Sequence, residues 1–430
     1  MKKSYQALVI AGILLNILDA VQAEEKLAYV FEVVRHGARA PLMDEPEGYF
    51  KVGKGILTAV GMRQRLLLGK LNRQRYIDQY QLLDQTYNPN QLFIESTNVL
   101  RTIQSSYAEL MGLYPPSPQK QSSLTQGEHD SITSGKGLPK LQLRNHIQKH
   151  LNNLHGTIDG YTMIPSFNYY QLTVNDDIDQ NDCPYAKDAF TYYLNTPSVF
   201  SYEGNYVIPT MREKIGKAFN LTQSQVQNLD FGTFYYYCDI LMAENAEGDS
   251  KRSYFNNEEW FYIRNSQKTL LSKGFDSVSR PLYATKFFSK PLKAMDAIVQ
   301  AIFNGQDTTD MLRYFIYSAH DTQIIAVLDW LQPYNHEYID ATYTSTIYFE
   351  LFYDFDCLKQ NPKSNSCFTI RLTHNGTPFK LQTCVQANQQ RNSASIICRY
   401  DDFLTHIQKN SYKDDFNQGC LKPFVKPTNL

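Results

Sequence analysis

Short apolar runs recur along the chain, and three of them have the same surroundings: an apolar strand, a turn and then a helix. We predict strands at residues 28–34, 92–94 and 314–318, because these runs are rich in β-branched and aromatic residues. The second strand leads into a predicted helix at 99–113, and a helical pattern after the third strand continues to Leu331. Strands that alternate with helices predict a parallel sheet with helices on both faces.

Further helical and strand patterns complete this predicted α/β unit. Residues 58–76 are a predicted helix that Thr58 can cap, and Ser96 and Thr97 are predicted caps for the helix at 99–113. After Trp330 the pattern is that of antiparallel strands at the sheet edge, at 346–353, 367–372 and 379–384, with a turn at Asn375-Gly376.

The middle of the chain has a different composition. Residues 145–300 are polar and rich in Tyr and Asn, and their helical fragments at 224–228 and 286–302 indicate a mainly helical insertion. We therefore expect a discontinuous α/β domain at residues 24–144 and 301–430, with the insertion domain at 145–300. The predicted fold class is α/β: a parallel-rich sheet flanked by helices, with an inserted mainly helical domain.

The N-terminus is typical of a secretory signal peptide. Lys2 and Lys3 precede an almost unbroken apolar run at residues 7–18, and Val21-Gln22-Ala23 supplies the small residues of a cleavage site. We expect residues 1–23 to be removed, since the run is too short to span a bilayer well. No later segment has the pattern of a transmembrane helix, so no membrane anchor is expected after cleavage.

Charge and cysteine content narrow the class of protein. The 42 basic and 43 acidic residues nearly cancel, and no basic stripe suggests a nucleic-acid partner. Seven cysteines without a Cys-x-x-Cys pair indicate disulfides rather than a zinc ribbon, and the odd number leaves at least one thiol without a partner in the chain. Local spacing predicts Cys357–Cys367 and Cys384–Cys398 pairs. Asn220 begins a predicted glycosylation sequon.

Charged residues follow all three predicted strands. Ligands of open α/β sheets bind outside the carboxyl ends of the strands. The segment RHGARAP at 35–41 follows the first strand, Arg101 follows the second, and His320-Asp321 follows the third. The strand ends would thus bring together Arg35, His36, Arg39, Arg101, His320 and Asp321. Because guanidinium groups match phosphate oxygens, this set predicts a site for a phosphoryl dianion.

With these motifs the chain resembles the histidine acid phosphatases, within the histidine phosphatase (phosphoglycerate mutase-like) superfamily. The resemblance rests on RHGxRxP at 35–41 with a distant His-Asp at 320–321, on residues 55–76 and on residues 96–116. Asn181-Asp182-Cys183-Pro184 and the C-terminal cysteines are similar to the prostatic and lysosomal acid phosphatase branch. The fold that this resemblance implies is the phosphoglycerate mutase-like fold.

The resemblance implies a role for each site residue. His36 would attack phosphorus and form a phosphohistidine intermediate, and Asp321 would protonate the leaving alcohol. The phosphate would be held by Arg35, Arg39, Arg101 and His320. Because three arginines supply the charge that a metal clamp supplies elsewhere, we expect neither a metal nor another cofactor.

The function that the resemblance implies is hydrolysis of small-molecule phosphate monoesters by a secreted or lysosomal acid phosphatase. A phytase or other inositol-phosphate phosphatase is the alternative, disfavoured because Gln323 stands where phytases usually have Asn. A non-catalytic secreted binding protein on the same fold is a third reading, against which the intact His36 and Asp321 argue. Since family members are often dimers, a homodimer is one implied assembly.

The remaining cysteines and histidines have simpler predicted roles. The resemblance implies Cys183–Cys420 and Cys384–Cys398 disulfides. It also places the partner of Cys238 near residues 341–345, and because these residues include no cysteine, we expect Cys238 to be free. The spacing of His146, His150 and His155 is similar to that of a metal site, but their segment lacks the Glu of a zincin motif, so we predict a solvated helix. The other histidines are predicted to be surface residues: His129, His336, His374 and His406.

Overall fold

The structure is a computed structural model that describes residues 25–45, 48–116, 126–127, 130, 144–152, 162–169, 178–248, 255–391, 393 and 397–427. The predicted signal peptide at residues 1–23 lies outside these described residues, as do His129 and His155.

One mixed sheet organises the described part of the chain. Its strands are β1 (Glu25–Arg35), β2 (Leu92–Ser96), β3 (Tyr314–Ala319), β4 (Pro333–Tyr334), β5 (Thr346–Asp354), β6 (Phe368–His374), β7 (Thr377–Leu381) and β8 (Cys398–Arg399). Their order is β2-β3-β1-β5-β6-β7-β4, with β8 paired to β6. Both β1 and β2 run parallel to β3, whereas β5, β6 and β7 continue the sheet with antiparallel pairing. The parallel strands and the antiparallel edge are therefore confirmed.

Helices cover both faces of this sheet. The α-helices of the described residues are α1 (Ala59–Asn72), α2 (Leu100–Leu113), α3 (Asn145–Asn152), α4 (Pro184–Leu194), α5 (Ile208–Ala218), α6 (Gln223–Gln227), α7 (Phe231–Glu247), α8 (Asn257–Lys273), α9 (Ser279–Phe303), α10 (Asp321–Leu331), α11 (Phe355–Gln360), α12 (Gln382–Gln390), α13 (Tyr400–Asn410) and α14 (Phe416–Leu421). A π-helical segment, Arg73–Gln79, continues α1.

Successive side chains of the central strand β1 point to opposite faces of the sheet, and both sets are buried because helices cover both faces. Val30 and Val34 belong to a core that α2 closes with Leu110 and Leu113. Phe31 faces the other way, into the larger core that α9 and α10 cover. Its ring lies 5.7 Å from that of Phe288 in an edge-on arrangement. The strand ends are thereby fixed between two layers of helices.

The helices between residues 145 and 303 belong to two cores. Met211, Phe234 and Ile263 from α5, α7 and α8 share a core separate from the sheet. In contrast, Phe287 and Met295 of α9 lie in the sheet core. Helix α9 therefore crosses the boundary predicted at residue 300 and packs on the α/β unit. The division into domains stays a prediction.

The structure confirms one predicted element end and contradicts two. Thr58 caps α1 as predicted, since its hydroxyl accepts a hydrogen bond from Gly61 N at 3.1 Å. The predicted caps before α2 are wrong: Ser96 still belongs to β2, and Val99 is the N-cap residue without a side-chain bond. The strand predicted at 379–384 is also wrong beyond Leu381, because the chain turns there into α12.

Two predicted surface histidines are buried. His374 is the last residue of β6, where it pairs with Ile347 of β5, and its Nε2 lies 2.9 Å from Ser345 Oγ. His406 sits on the inner face of α13, with Nε2 2.8 Å from the Leu331 carbonyl oxygen. The surface prediction is therefore wrong for both, because each imidazole has hydrogen-bond partners that allow its burial.

A network of buried carboxylates lies on the α1–α2 side of the sheet. Asn72 Nδ2 donates hydrogen bonds to Glu32 Oε2 at 3.1 Å and to Glu109 Oε1 at 2.9 Å, so one amide joins the two acids. Arg65 forms an ion pair with Glu109, and the Tyr314 hydroxyl donates to Glu32. Burial, and then the charge of Glu109, raise the pKa of Glu32 well above its usual value.

The Glu32 carboxyl group should contribute more stability in acid than at neutral pH. The folded state keeps a proton on Glu32 at pH values where the unfolded chain has lost it. The contribution of this group to the free energy of unfolding should therefore fall as pH rises above about 4.5, by up to about 1.4 kcal/mol per pH unit. Glu32→Gln removes that dependence while keeping the shape of the protonated acid. Denaturant unfolding of both proteins between pH 4 and 8 measures it, and parallel curves would contradict the assignment.

Candidate active site

The predicted site residues converge at the carboxyl ends of the parallel strands. The ends of β1, β3 and β2 lie side by side, since Arg35 pairs with Ala319 and Ser96 with Ser318. A cavity of about 320 Å³ at this edge is lined by His36, Arg39, Arg101, His320 and Asp321. Arg35 lines a neighbouring cavity of about 650 Å³, and its Nη2 lies 2.8 Å from Asp321 Oδ2. All six residues therefore meet in one place.

His36 is held in one orientation directly after β1. Its Nδ1 lies 2.8 Å from the Gly37 carbonyl oxygen, and because a carbonyl only accepts, Nδ1 must carry the proton. The other ring nitrogen, Nε2, then keeps its lone pair. Burial, followed by the charges of Arg35 and Arg101, lowers the pKa of His36 well below its usual value. The imidazole therefore stays neutral at lower pH than a free imidazole does.

Gly37 and Gly61 lie at a close backbone contact that leaves no room for a side chain. A Cβ atom on Gly37 would lie 2.1 Å from the Gly61 carbonyl oxygen, so the nucleophile segment and the start of α1 touch directly. Gln64, one turn further along α1, accepts a hydrogen bond from Ala38 N at 2.9 Å. The motif at residues 55–64 therefore supports the segment that carries His36.

Arg39 is held by a residue that the sequence did not indicate. Its Nη1 and Nη2 donate to the two carboxylate oxygens of Asp239, at 3.1 and 2.8 Å, and both side chains are buried. The same carboxylate accepts from Leu42 N at 2.9 Å. Asp239 lies on α7, 200 positions along the chain, and neighbouring Tyr235 also lines the cavity. A lone Asp on an apolar helix is the only sequence signal for it.

Arg101 and His320 form a hydrogen-bonded pair. Arg101 Nη2 lies 3.2 Å from His320 Nδ1, and because a guanidinium only donates, Nδ1 accepts. Nε2 therefore carries the proton and donates to Thr97 Oγ1 at 2.9 Å. Burial and the charge of Arg101 lower the pKa of His320 well below its usual value. Thr97, predicted as a helix cap, instead fixes the tautomer of His320.

Asp321 is the first residue of α10 and is oriented by several donors. Besides Arg35, Gln267 Nε2 donates to Asp321 Oδ2 at 2.8 Å, and Thr322 N donates to Oδ1 at 2.9 Å. Gln323, three positions from His320, accepts from the His320 backbone N–H at 3.0 Å. Gln267 comes from α8 and was not indicated by the sequence.

The rest of the cavity combines apolar and polar side chains. Its lining also includes Leu42, Val99, Phe190, Tyr235, Leu271, Thr322, Asp179 and Asn181. Among these described lining residues the positive charges are confined to Arg39 and Arg101, next to His36. These two cations could therefore hold one phosphoryl group beside His36.

The cysteines pair as the sequence analysis predicted. Disulfides join Cys183 to Cys420, Cys357 to Cys367 and Cys384 to Cys398. Cys238 is a free, buried thiol, and burial raises its pKa.

Other predicted features lie outside the cavity. His146 and His150 are exposed on α3. Within the described ranges, no group of three His, Cys, Asp or Glu residues could hold a metal ion. No described helix is long and apolar enough to cross a membrane. Asn220 is exposed in the turn between α5 and α6.

Comparison with known proteins agrees with this geometry. The sequence model of the histidine phosphatase superfamily (branch 2) matches residues 43–375. Lysosomal acid phosphatase of Xenopus laevis is 38% identical over 109 residues, 24% of this chain and 24% of that protein. Counting factor 60 of Dictyostelium discoideum is 24% identical over 275 residues, 63% of this chain and 53% of that protein. The alignments thus span about a quarter to a half of these relatives.

A solved structure shows the same fold. The phytase from Citrobacter braakii superposes with a TM-score of 0.56 at 14% identity, covering 90% of this chain and 98% of that one. The family match extends over most of the chain, so the protein belongs to the histidine phosphatase superfamily, branch 2. The predicted resemblance to histidine acid phosphatases and the predicted fold class are both confirmed.

Proposed function

We propose that this protein is an acid phosphatase that hydrolyses small phosphate monoesters to an alcohol and phosphate through a phosphohistidine intermediate. The observation that carries the proposal is the placement of His36. Its proton is held on Nδ1 by the Gly37 carbonyl oxygen, and it lines the same cavity as Arg39, Arg101 and Asp321. A neutral nitrogen nucleophile among fixed cations is the arrangement that phosphoryl transfer requires.

The first half-reaction transfers the phosphoryl group to the enzyme. Arg39 and Arg101 bind the phosphoryl oxygens from the cavity wall, with Arg35 completing the set, and these donors stabilise the charge of the transition state. His320 acts on the phosphate through Arg101, whose guanidinium it holds with Nδ1 while its Nε2 donates to Thr97. His36 Nε2 forms a bond to phosphorus while the bond to the ester oxygen breaks. Asp321 gives its proton to that oxygen, and the alcohol leaves.

The second half-reaction releases phosphate. Asp321, now ionised, accepts a proton from a water molecule whose oxygen attacks phosphorus. The bond from phosphorus to His36 Nε2 breaks, and its electron pair returns to the imidazole. Because the pKa of His36 is low, the ring is a good leaving group as well as a neutral nucleophile in acid. The cycle needs no metal or other cofactor.

The size and charge of the cavity favour simple monoesters over phytate. At about 320 Å³, with its arginines grouped around one phosphoryl position and Asp179 also in its lining, this cavity has no second cationic subsite among its described lining residues. The neighbouring cavity that Arg35 lines adds one further arginine, Arg264. A hexakisphosphate carries many charges and would need further cations. Phytase activity therefore remains the second candidate, suggested by the family rather than by this lining.

A substrate panel tests the proposal. We expect the protein to hydrolyse p-nitrophenyl phosphate and glycerol 2-phosphate faster than phytate, and faster at pH 5 than at pH 8. Exhaustive chelation should leave these rates unchanged. Faster release of phosphate from phytate would favour the second candidate, and absence of turnover on every ester would favour a binding protein on this fold.

The disulfides also support a place in the secretory pathway, where such bonds persist. We propose that residues 1–23 are the signal peptide, that the exposed Asn220 is glycosylated, and that the destination is extracellular or lysosomal. A homodimer remains a prediction that sedimentation of the purified protein tests.

A further inference from the structure

Tyr343 lies against three residues of the phosphate site. The centroid of its ring is 4.3 Å from Arg35 Cζ and 5.9 Å from Arg39 Cζ. The centroid of the His36 ring is 5.8 Å from that of Tyr343. One aromatic ring therefore lies beside the nucleophile and beside both of the arginines that flank it.

The backbone around Tyr343 is bonded to the nucleophile segment. Thr344 N donates to the His36 carbonyl oxygen at 3.1 Å, and Arg35 N donates to the Ser345 carbonyl oxygen at 2.9 Å. Thr344 itself has a φ of 63°, a left-handed conformation that is strained for a β-branched residue. The surrounding contacts maintain this conformation, and it places the Tyr343 ring beside the cations.

The ring is well suited to hold two like charges near each other. The Arg35 and Arg39 guanidinium groups repel each other, and their carboxylate partners are different residues, Asp321 and Asp239. The negative face of an aromatic ring attracts a guanidinium group, most strongly where water is excluded. The Tyr343 hydroxyl is buried without a hydrogen-bond partner among the described residues, so the ring is the part that acts.

We propose that Tyr343 is a positioning residue whose ring holds the Arg35 and Arg39 guanidinium groups at the spacing that a bound phosphoryl group needs. This inference rests on the proposed function insofar as it assumes that these two arginines bind phosphate. Tyr343 does not touch the reacting atoms, and it acts through the arginines.

Replacing the ring should weaken phosphate binding. Tyr343→Leu is expected to raise the KM for p-nitrophenyl phosphate and the Kd for inorganic phosphate by about 3- to 30-fold, the size of a cation–π contact away from water. The turnover number should change less, because His36 is oriented by Gly37. Tyr343→Phe keeps the ring and should stay within about twofold of the wild type. Tyr343→Met, which fills the space without a ring, gives a second measure should the Leu variant fold poorly.

A matched control separates this role from a general loss of stability. Tyr80 also lies near a guanidinium group, with Arg75 Cζ 5.5 Å from its ring centroid, at the end of the π-helical segment that continues α1. Tyr80→Leu should leave both constants unchanged at a similar melting temperature. Equal effects of Tyr343→Phe and Tyr343→Leu would assign the role to the hydroxyl and overturn the proposal, as would unchanged phosphate affinity in the Leu and Met variants.

Calorimetry of phosphate binding keeps the two proposals distinguishable, because it needs no turnover. If the wild type hydrolysed no ester, the proposed function would be wrong, but the phosphate affinities of the variants would still test the role of Tyr343. A wild type that turns over normally alongside an unaffected Tyr343→Leu would overturn the positioning role alone.

Discussion

His36→Ala should reduce turnover of p-nitrophenyl phosphate by a factor on the order of 10⁴ or more, because it removes the atom that forms the covalent intermediate. The folded structure should persist, since His36 contributes little to the core compared with the strand before it. Single-turnover measurements with ³²P-labelled substrate, quenched in alkali, should trap a phosphoryl group on His36 of the wild type. The label should be stable in base and lost in acid, as expected for a phosphoramidate.

The control for this experiment is another histidine in the same chain. His146 is exposed on α3, so His146→Ala should keep both the activity and the trapped label. The assignment would be wrong if the wild type carried its label on any other residue, or if His36→Ala still formed a phosphoenzyme. A loss of activity together with a loss of phosphate binding would point instead to collapse of the arginine cluster.

The sequence predicts the chemical groups of the site well because they occur in short segments directly after strands. His36 and Arg39 share one loop, and His320 and Asp321 are adjacent. Strand patterns place such segments at one edge of a parallel sheet, since all parallel strands end there. The position of Arg101 follows by the same reasoning from β2.

The residues that hold these groups could not be predicted, because their positions depend on how distant helices pack. Asp239 and Gln267 come from α7 and α8, and each reaches the site only when the helical layer closes over the strand ends. Tyr343 belongs to a loop whose left-handed residue, Thr344, has no sequence signal. The buried His374 shows the same limit, since its partner Ser345 is brought to it by pairing of β5 with β6.

The predictable parts of the fold have strong local signals. The turn at Asn375-Gly376 and the alternation before it fix the antiparallel edge, and both residues adopt positive φ as a tight turn requires. The strand predicted at 379–384 fails beyond Leu381 because the apolar pattern does not distinguish the end of a strand from the first turn of α12. There the Cys384–Cys398 disulfide and packing decide the conformation.

Asp321→Asn should slow hydrolysis of an alkyl phosphate about 10²- to 10⁴-fold, because an alkoxide leaves badly without a proton. For p-nitrophenyl phosphate, whose phenolate leaves unaided, the loss should be much smaller. Rates on glycerol 2-phosphate and p-nitrophenyl phosphate, each measured for the wild type and the variant, give both losses.

The comparison of two substrates isolates proton donation from the other contacts of Asp321. The carboxylate also binds Arg35 at 2.8 Å and accepts from Gln267 at 2.8 Å, so the substitution disturbs phosphate binding as well. That disturbance affects both substrates equally and cancels in the ratio of their losses. Asp329→Asn, on the same helix but hydrogen-bonded to Tyr338, should leave the ratio unchanged. Equal losses for the two substrates would show that Asp321 orients Arg35 rather than protonating the leaving group, and the general acid would then have to come from another carboxyl group.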